Sequence, residues 1–125
     1  MNIPSNLKFT KTDEWFDLSS GKMGLSDYAQ GQLSDIVFVE IVVAVGEATE
    51  QGKAIASVES VKAAAETYAS ASGKVVAVNE ELANNPEILN KDPYGAGWMV
   101  QVEGGDASAL MDAAVYEKYC EERAQ

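Results

Sequence analysis

The chain has no histidine and only one cysteine, Cys120, among its 125 residues. Histidine is the usual general base of nucleophilic catalysis and a common zinc ligand, so Ser–His–Asp chemistry, Cys–His chemistry and ordinary histidine-based zinc sites are excluded. Cys120 has no partner for an intramolecular disulfide, and Tyr116 and Tyr119 beside it favour a partly buried structural thiol over a nucleophile. We therefore predict no catalytic residue and no metal site, and an enzyme acting alone is the least favoured class.

Basic residues and long apolar runs are also scarce. The formal net charge is −11, from 9 Lys and Arg against 20 Asp and Glu. This balance argues against nucleic-acid binding and favours docking on basic protein faces. No stretch approaches the roughly 20 apolar residues of a membrane span, and residues 1–12 lack the apolar centre of a signal peptide. No glycine-rich phosphate loop occurs either. We predict a cytoplasmic protein with no membrane segment.

Short strands separated by turns account for most of the chain, which we predict to be a single domain over residues 1–125. β-Branched and aromatic residues favour strands at 6–16, with an interruption near Thr12, and at 35–43 and 98–102. Ser26 is a good N-cap for a short helix at about residues 27–33. Apolar residues recur at helical spacing from 107 to 123 and predict a C-terminal helix. We expect its apolar face to pack on a barrel formed by the strands. That face is formed by Leu110, Met111, Ala114, Val115 and Tyr119.

One segment is echoed within the chain. Residues 52–59 and 73–80 both begin with Gly-Lys and end with Glu, and both have an extended run between. A single repeat in a short β-rich chain predicts two similar halves that supply strands to a shared core. The fold class is then mainly β, a flattened barrel of two antiparallel sheets with a short helix in the N-terminal half.

Lys62 is the most informative single residue. It lies near the bend between two predicted strands in residues 54–73, and small side chains flank it on both sides. A lysine in that setting stands clear of its neighbours, so a modifying enzyme can reach its amine. The alternative is that Lys62 is an ordinary solvated surface charge.

The sequence around this lysine resembles the lipoylation motif of the glycine cleavage system H proteins. The motif residues are Glu59, Ser60, Val61, Lys62 and Ala63. The resemblance extends in order along nearly the whole chain, through blocks at residues 26–30, 33–40, 73–79 and 90–98. Lipoyl domains of 2-oxoacid dehydrogenases usually have an acidic residue directly before the lysine, where this chain has Val61. Biotin carriers resemble Met-Lys-Met, and no methionine flanks Lys62.

This resemblance implies a barrel-sandwich hybrid fold and a carrier rather than an enzyme. Lipoate would be attached covalently to Lys62, and Glu59, Ser60, Val61 and Ala63 would form the recognition motif. The implied partners are a PLP-dependent glycine decarboxylase, a tetrahydrofolate-dependent aminomethyltransferase, FAD-containing dihydrolipoamide dehydrogenase and the lipoate-attaching enzymes. An alternative within the same fold is an H-like protein that acts mainly as a lipoate donor to other lipoyl domains. Another is a binding module that has lost the arm.

The resemblance also implies a pocket for the loaded arm. The primary amine that the arm carries is cationic near neutral pH and needs protection from water. Matched to the family's pattern, Thr12, Glu14 and Glu66 are the candidate residues of this arm pocket. Four places depart from the pattern. Asp13 stands where histidine is usual, and Ser34 stands where glycine is common. The stretch at residues 16–24 is shorter than usual, and residues 41–44 lack the usual proline.

Overall fold

The computed structural model describes residues 1–123, which form ten strands and four helices. The strands are β1 (Lys8–Phe9), β2 (Glu14–Phe16), β3 (Lys22–Leu25), β4 (Ile36–Ile41), β5 (Ala48–Thr49), β6 (Ala54–Ser60), β7 (Ala64–Tyr68), β8 (Gly73–Val78), β9 (Val100–Glu103) and β10 (Met111–Asp112). The helices are α1 (Asp27–Leu33), α2 (Glu81–Asn84), α3 (Ile88–Lys91) and α4 (Ala113–Arg123).

The strands form two antiparallel sheets, which confirms the predicted mainly β class. The larger sheet has seven strands in the order β10-β1-β2-β3-β9-β8-β5, and the smaller has the order β4-β6-β7. Within residues 1–123 the two sheets share no ladder that would close them into a barrel. The predicted interruption near Thr12 is the turn between β1 and β2.

The two copies of the internal echo lie in opposite sheets. The first copy covers all but the last residue of β6 in the smaller sheet, and the second contains β8 of the larger one. Ile55 and Val58 of β6 and Val75 of β8 are almost completely buried in the same apolar cluster. Each copy therefore supplies strand residues to a shared core, as the repeat predicts.

Helix α1 leads directly into β4 through an unusual backbone conformation. The Ser26 side chain accepts a hydrogen bond from the Ala29 N–H, which confirms the predicted N-cap. At the other end Ser34 has φ 66° and ψ −149°, a region that side chains other than glycine rarely adopt. Asn90 holds this junction: it accepts from the Ile36 N–H at 2.9 Å and donates to the Ser34 carbonyl at 2.8 Å. The conformation explains why glycine suits position 34.

The C-terminal helix begins later than the predicted start at residue 107. Met111 and Asp112 instead pair with β1 as strand β10, and α4 starts at Ala113. The Asp112 carboxylate accepts a hydrogen bond from the Val115 N–H at 2.9 Å and caps the first turn. The predicted apolar face is also partly wrong, because Val115 is 54% exposed whereas Tyr116 and Cys120 are fully buried.

A second apolar cluster lies under α4, apart from the main core between the sheets. Its buried members are Leu7, Phe9, Trp15, Tyr116 and Cys120. The buried position of Cys120 agrees with the predicted structural thiol. No helix in the described part of the chain is long and apolar enough to cross a membrane.

Candidate attachment lysine and adjoining cleft

Lys62 lies at the tip of a tight hairpin in the smaller sheet. Strand β6 ends at Ser60 and β7 starts at Ala64, so only residues 61–63 form the turn. The side chains of Val61, Lys62 and Ala63 are all exposed, Val61 by 67%. The predicted position of the lysine at a bend between two strands is confirmed.

The hydroxyl group of Ser60 organises this turn. Its Oγ accepts hydrogen bonds from the N–H groups of Ala63 at 3.0 Å and Lys62 at 3.3 Å. The Ser60 N–H donates to the Ala63 carbonyl at 2.8 Å, which closes the hairpin. The Val61 N–H donates to the Asp35 carbonyl at 3.0 Å and ties the turn to the residue before β4. The lysine backbone is therefore held while its side chain remains free to leave the surface.

The neighbours of Lys62 leave its amine accessible. Ala63, Ala64 and Ala65 follow it with small exposed side chains, and Glu59 is exposed on β6 opposite Ala64. The motif residues 59–63 thus form one contiguous stretch that another protein can contact. The hairpin as a whole presents one amine beyond a smooth and partly acidic surface.

A buried carboxylate lies at the base of the same hairpin. Glu14 is only 1% exposed, and its Oε1 atom accepts hydrogen bonds from the hydroxyl groups of Thr10 at 2.6 Å and Thr12 at 2.5 Å. Its Oε2 atom accepts from the Tyr68 N–H at 3.1 Å, at the last residue of β7. The ladder between β6 and β7 shifts register here, between Ala54 and Ala56. One carboxylate therefore joins the opening turn of the chain to the lysine hairpin.

Burial raises the pKa of the Glu14 carboxyl above its ordinary value of 4.5. The main cause is loss of hydration, which disfavours the charged form. The hydrogen bonds from Thr10, Thr12 and Tyr68 lower the pKa and offset part of this effect, while the nearby charge of Asp13 raises it. A cation near this buried carboxyl group would stabilise its charged form.

A cleft of about 380 Å³ opens beside this turn. Its lining residues are Phe9, Thr10, Lys11, Thr12, Gln51, Gly52, Ala69, Ala109, Leu110 and Met111. Of the predicted arm-pocket residues, Thr12 lines the cleft, and Glu14 accepts a hydrogen bond from the Thr12 hydroxyl. Glu66 lies instead in a separate groove, on the exposed side of β7 opposite Ser57. The part of Thr10 was missed because a lone threonine in an opening strand carries no sequence signal.

A two-sheet β domain with an exposed lysine at the tip of a tight hairpin is typical of proteins whose lysine is modified by another enzyme. Comparison with known proteins narrows the class: the family model described as glycine cleavage H-protein matches residues 7–123. The glycine cleavage system H protein of Bacillus cereus strain B4264 is 47% identical over 123 residues, covering 97% of this chain and 96% of the relative. That of Deinococcus deserti is 47% identical over 118 residues, covering 94% and 97%.

A solved structure agrees with these sequence matches. The crystal structure of a glycine cleavage system H protein from Mycobacterium marinum superimposes with a TM-score of 0.84 and 31% identity. The match covers 98% of this chain and 100% of that one. The chain belongs to the glycine cleavage H-protein family.

Proposed function

We propose that Lys62 carries lipoate through an amide bond to its Nζ atom and that the chain shuttles the aminomethyl group of glycine on this arm. The observation that carries the proposal is the exposed lysine in a turn held by Ser60, in a chain of the H-protein family. The residues suit such a group, because the side chains after Lys62 are alanines and leave the amine clear. Bound lipoate would supply a dithiolane sulfur as the carrier atom.

The chain itself supplies presentation and protection. Strand β7 runs from the lysine turn to the buried carboxylate: Ala64 follows the turn and Tyr68 donates to Glu14. Its four residue steps span about 13 Å. A cationic amine delivered along this strand would reach a cleft lined by Thr10 and Thr12, whose hydroxyls donate to the buried Glu14 carboxylate. We propose this cleft as the arm pocket, with Thr12 and Glu14 as its polar groups.

Glu66 takes a different part in this proposal. It is exposed midway along β7, between the lysine turn and Tyr68. A carboxylate at that place attracts a cationic arm on its way to the cleft, but its solvent exposure makes the attraction weak. We therefore propose Glu66 as a contributor to the path and Glu14 as the group that holds the amine.

The proposed partners follow from the shuttle. A PLP-dependent glycine decarboxylase would load the arm, and a tetrahydrofolate-dependent aminomethyltransferase would unload it. Dihydrolipoamide dehydrogenase, with FAD, would reoxidise the dithiol, and lipoate-attaching enzymes would modify Lys62. The net charge of −11 supports docking to basic faces on such enzymes. The cytoplasm, where these enzymes would be met, remains the predicted location.

The first test is the intact mass of the protein purified from its own cells. A mass increase equal to one lipoyl or octanoyl group is expected, and Lys62→Arg should lack it. Lys74→Arg is the matched control, because Lys74 is also exposed but lies within β8. An unmodified mass that persists after incubation with a lipoate-attaching enzyme would overturn the carrier proposal. Modified protein that supports no glycine decarboxylation with the partner enzymes would point to the lipoate-donor alternative.

The arm pocket has a separate test, the lifetime of the aminomethyl-loaded arm in buffer. Glu14→Ala should shorten the lifetime most, because it removes the carboxylate to which Thr10 and Thr12 at the cleft are bonded. Thr12→Val should shorten it less and Glu66→Gln least. An unchanged lifetime in Glu14→Ala would remove Glu14 from the pocket and leave the carrier proposal standing.

A further inference from the structure

The turn that carries Thr12 and Glu14 contains a residue in an uncommon conformation. Asp13 has φ 75°, in the left-handed region that aspartate and asparagine tolerate better than most residues. Its carbonyl accepts a hydrogen bond from the Ser26 N–H at 2.9 Å. The side chains of Thr12 and Glu14 bond to each other, whereas the Asp13 side chain contacts helix α4. The turn is thus held from two sides.

Helix α4 binds the Asp13 carboxylate with three hydrogen bonds. The Tyr116 hydroxyl donates to Oδ1 at 2.8 Å, and the guanidinium of Arg123 donates to Oδ1 at 2.5 Å and to Oδ2 at 3.1 Å. This two-pronged contact has the geometry in which arginine binds carboxylates most strongly. The Asp13 carboxylate is the first cause of the raised pKa of Arg123.

Arg123 is itself held in place by aromatic rings. Its guanidinium lies 4.5 Å from the ring centre of Tyr28 and 4.0 Å from that of Tyr119. The Tyr119 hydroxyl donates at 3.0 Å to the carbonyl of Lys11, two residues before Asp13. Exposed ion pairs usually contribute little, but two ring contacts and a paired hydrogen bond reduce the freedom that Arg123 must lose.

We propose that Asp13 and Arg123 are positioning residues for the Glu14 cleft: the pair locks the turn so that the Glu14 carboxylate stays bonded to Thr12 and Tyr68. The significance for the carried amine rests on the proposed function, but the positioning itself does not. The pair acts through the turn and touches no cargo. Residues 109–111, just before α4, form another wall of the same cleft, so the helix anchors both sides of it.

Amide hydrogen exchange in the unmodified full-length chain tests this directly. The Tyr68 N–H donates to the Glu14 carboxylate, whereas the next amide, Ala69, donates to the backbone carbonyl of Lys53 at 2.7 Å. The ratio of the two exchange rates therefore reports the position of the Glu14 side chain. Loss of one such hydrogen bond should speed Tyr68 exchange about fivefold or more, with Ala69 unchanged.

The variants are chosen so that the fold survives. Asp13→Asn keeps a residue that tolerates positive φ, removes the charge and replaces one acceptor oxygen with an amide NH2 group. Arg123→Gln removes the guanidinium, and Arg123→Lys restores the charge without the two-pronged contact. Lys118→Gln, exposed on the same helix, is the matched control. Tyr68 exchange should rise in Asp13→Asn and Arg123→Gln, recover partly in Arg123→Lys and stay unchanged in Lys118→Gln.

Two results would overturn the proposal. If the ratio of the Tyr68 and Ala69 exchange rates is unchanged in both Asp13→Asn and Arg123→Gln, the position of Glu14 does not depend on the Asp13–Arg123 pair. Equal acceleration of both amides means that the pair contributes only general stability. The proposed function fails separately, through the intact mass or the lifetime of the loaded arm. If the ratio of exchange rates changes but the lifetime of the loaded arm does not, the positioning role of Asp13 and Arg123 is supported and the cleft is not the arm pocket.

Discussion

The buried hydroxyl of Tyr116 offers a measurable test of how α4 is joined to the rest of the chain. Tyr116 is fully buried, and its ring stacks on Phe9 at 4.4 Å. Its hydroxyl lies 2.7 Å from the Ser26 Oγ and donates to Asp13 at 2.8 Å. Burial raises the pKa of Tyr116, so the phenol stays protonated and continues to donate. Tyr116→Phe keeps the ring and removes only these hydrogen bonds.

The expected loss in the free energy of unfolding is about 2 kcal/mol, because the bond to Asp13 is to a charged group and the bond to Ser26 is buried. For a chain of this length that corresponds to a fall in Tm of about 8 °C. The assay is thermal unfolding followed by circular dichroism, with urea unfolding to check that the m-value is unchanged.

Tyr119→Phe is the matched control. It removes the same chemical group, but the lost bond to the Lys11 carbonyl is exposed. Its cost should be about 0.5 kcal/mol, at the low end for a hydrogen bond. If Tyr116→Phe lowered Tm no more than Tyr119→Phe, burial would not control the value of these bonds and the reasoning would be wrong.

Three further predictions follow from single residues. Ser34→Gly should raise the free energy of unfolding by about 1–2 kcal/mol, measured by urea unfolding, because Ser34 has φ 66° and ψ −149°; Ser34→Ala should not. Thr67→Val should leave Tm unchanged or raise it, since the buried Thr67 hydroxyl has no hydrogen-bond partner within residues 1–123, and a clear fall would show a bound water. The folded-state pKa of Glu14 is raised above its ordinary value of 4.5. Between the ordinary and the raised pKa the folded chain therefore binds more protons than the unfolded chain, so the free energy of unfolding should fall as pH rises through that range. Glu14→Gln should lack this fall, and a parallel profile would assign it to another group.

The lysine hairpin was predictable because all of its determinants are local. Five contiguous residues contain the lysine, the turn-forming serine and the small neighbour, and the turn's internal hydrogen bonds join residues no more than three apart. Local signals also predicted one strand and one helix: the β-branched run at 35–43 matches β4, and Ser26 caps α1. Lys62 as the attachment point remains a prediction that the mass measurement decides.

The start of the C-terminal helix was not predictable in this way. Leu110 and Met111 occur at helical spacing with the residues that follow, yet Met111 pairs with Phe9 as a strand. Pairing with a segment about a hundred residues away outweighs a weak local helical preference. A local feature at the observed start of the helix is the hydrogen bond from the Val115 N–H to the Asp112 carboxylate.

The cleft was decided by tertiary structure. The Glu14 carboxylate collects donors from Thr10 and Thr12 nearby, but also from Tyr68, 54 positions away. Asp13 and Arg123 lie 110 positions apart, and no spacing in the chain links them. The sequence by itself determined the elements that local patterns mark: strand β4 by its β-branched run, helix α1 by its cap and the lysine turn by its short-range hydrogen bonds. Long-range contacts, from Tyr68 to Glu14 and from Arg123 to Asp13, decided the surroundings of the buried carboxylate, because only packing brings those groups together.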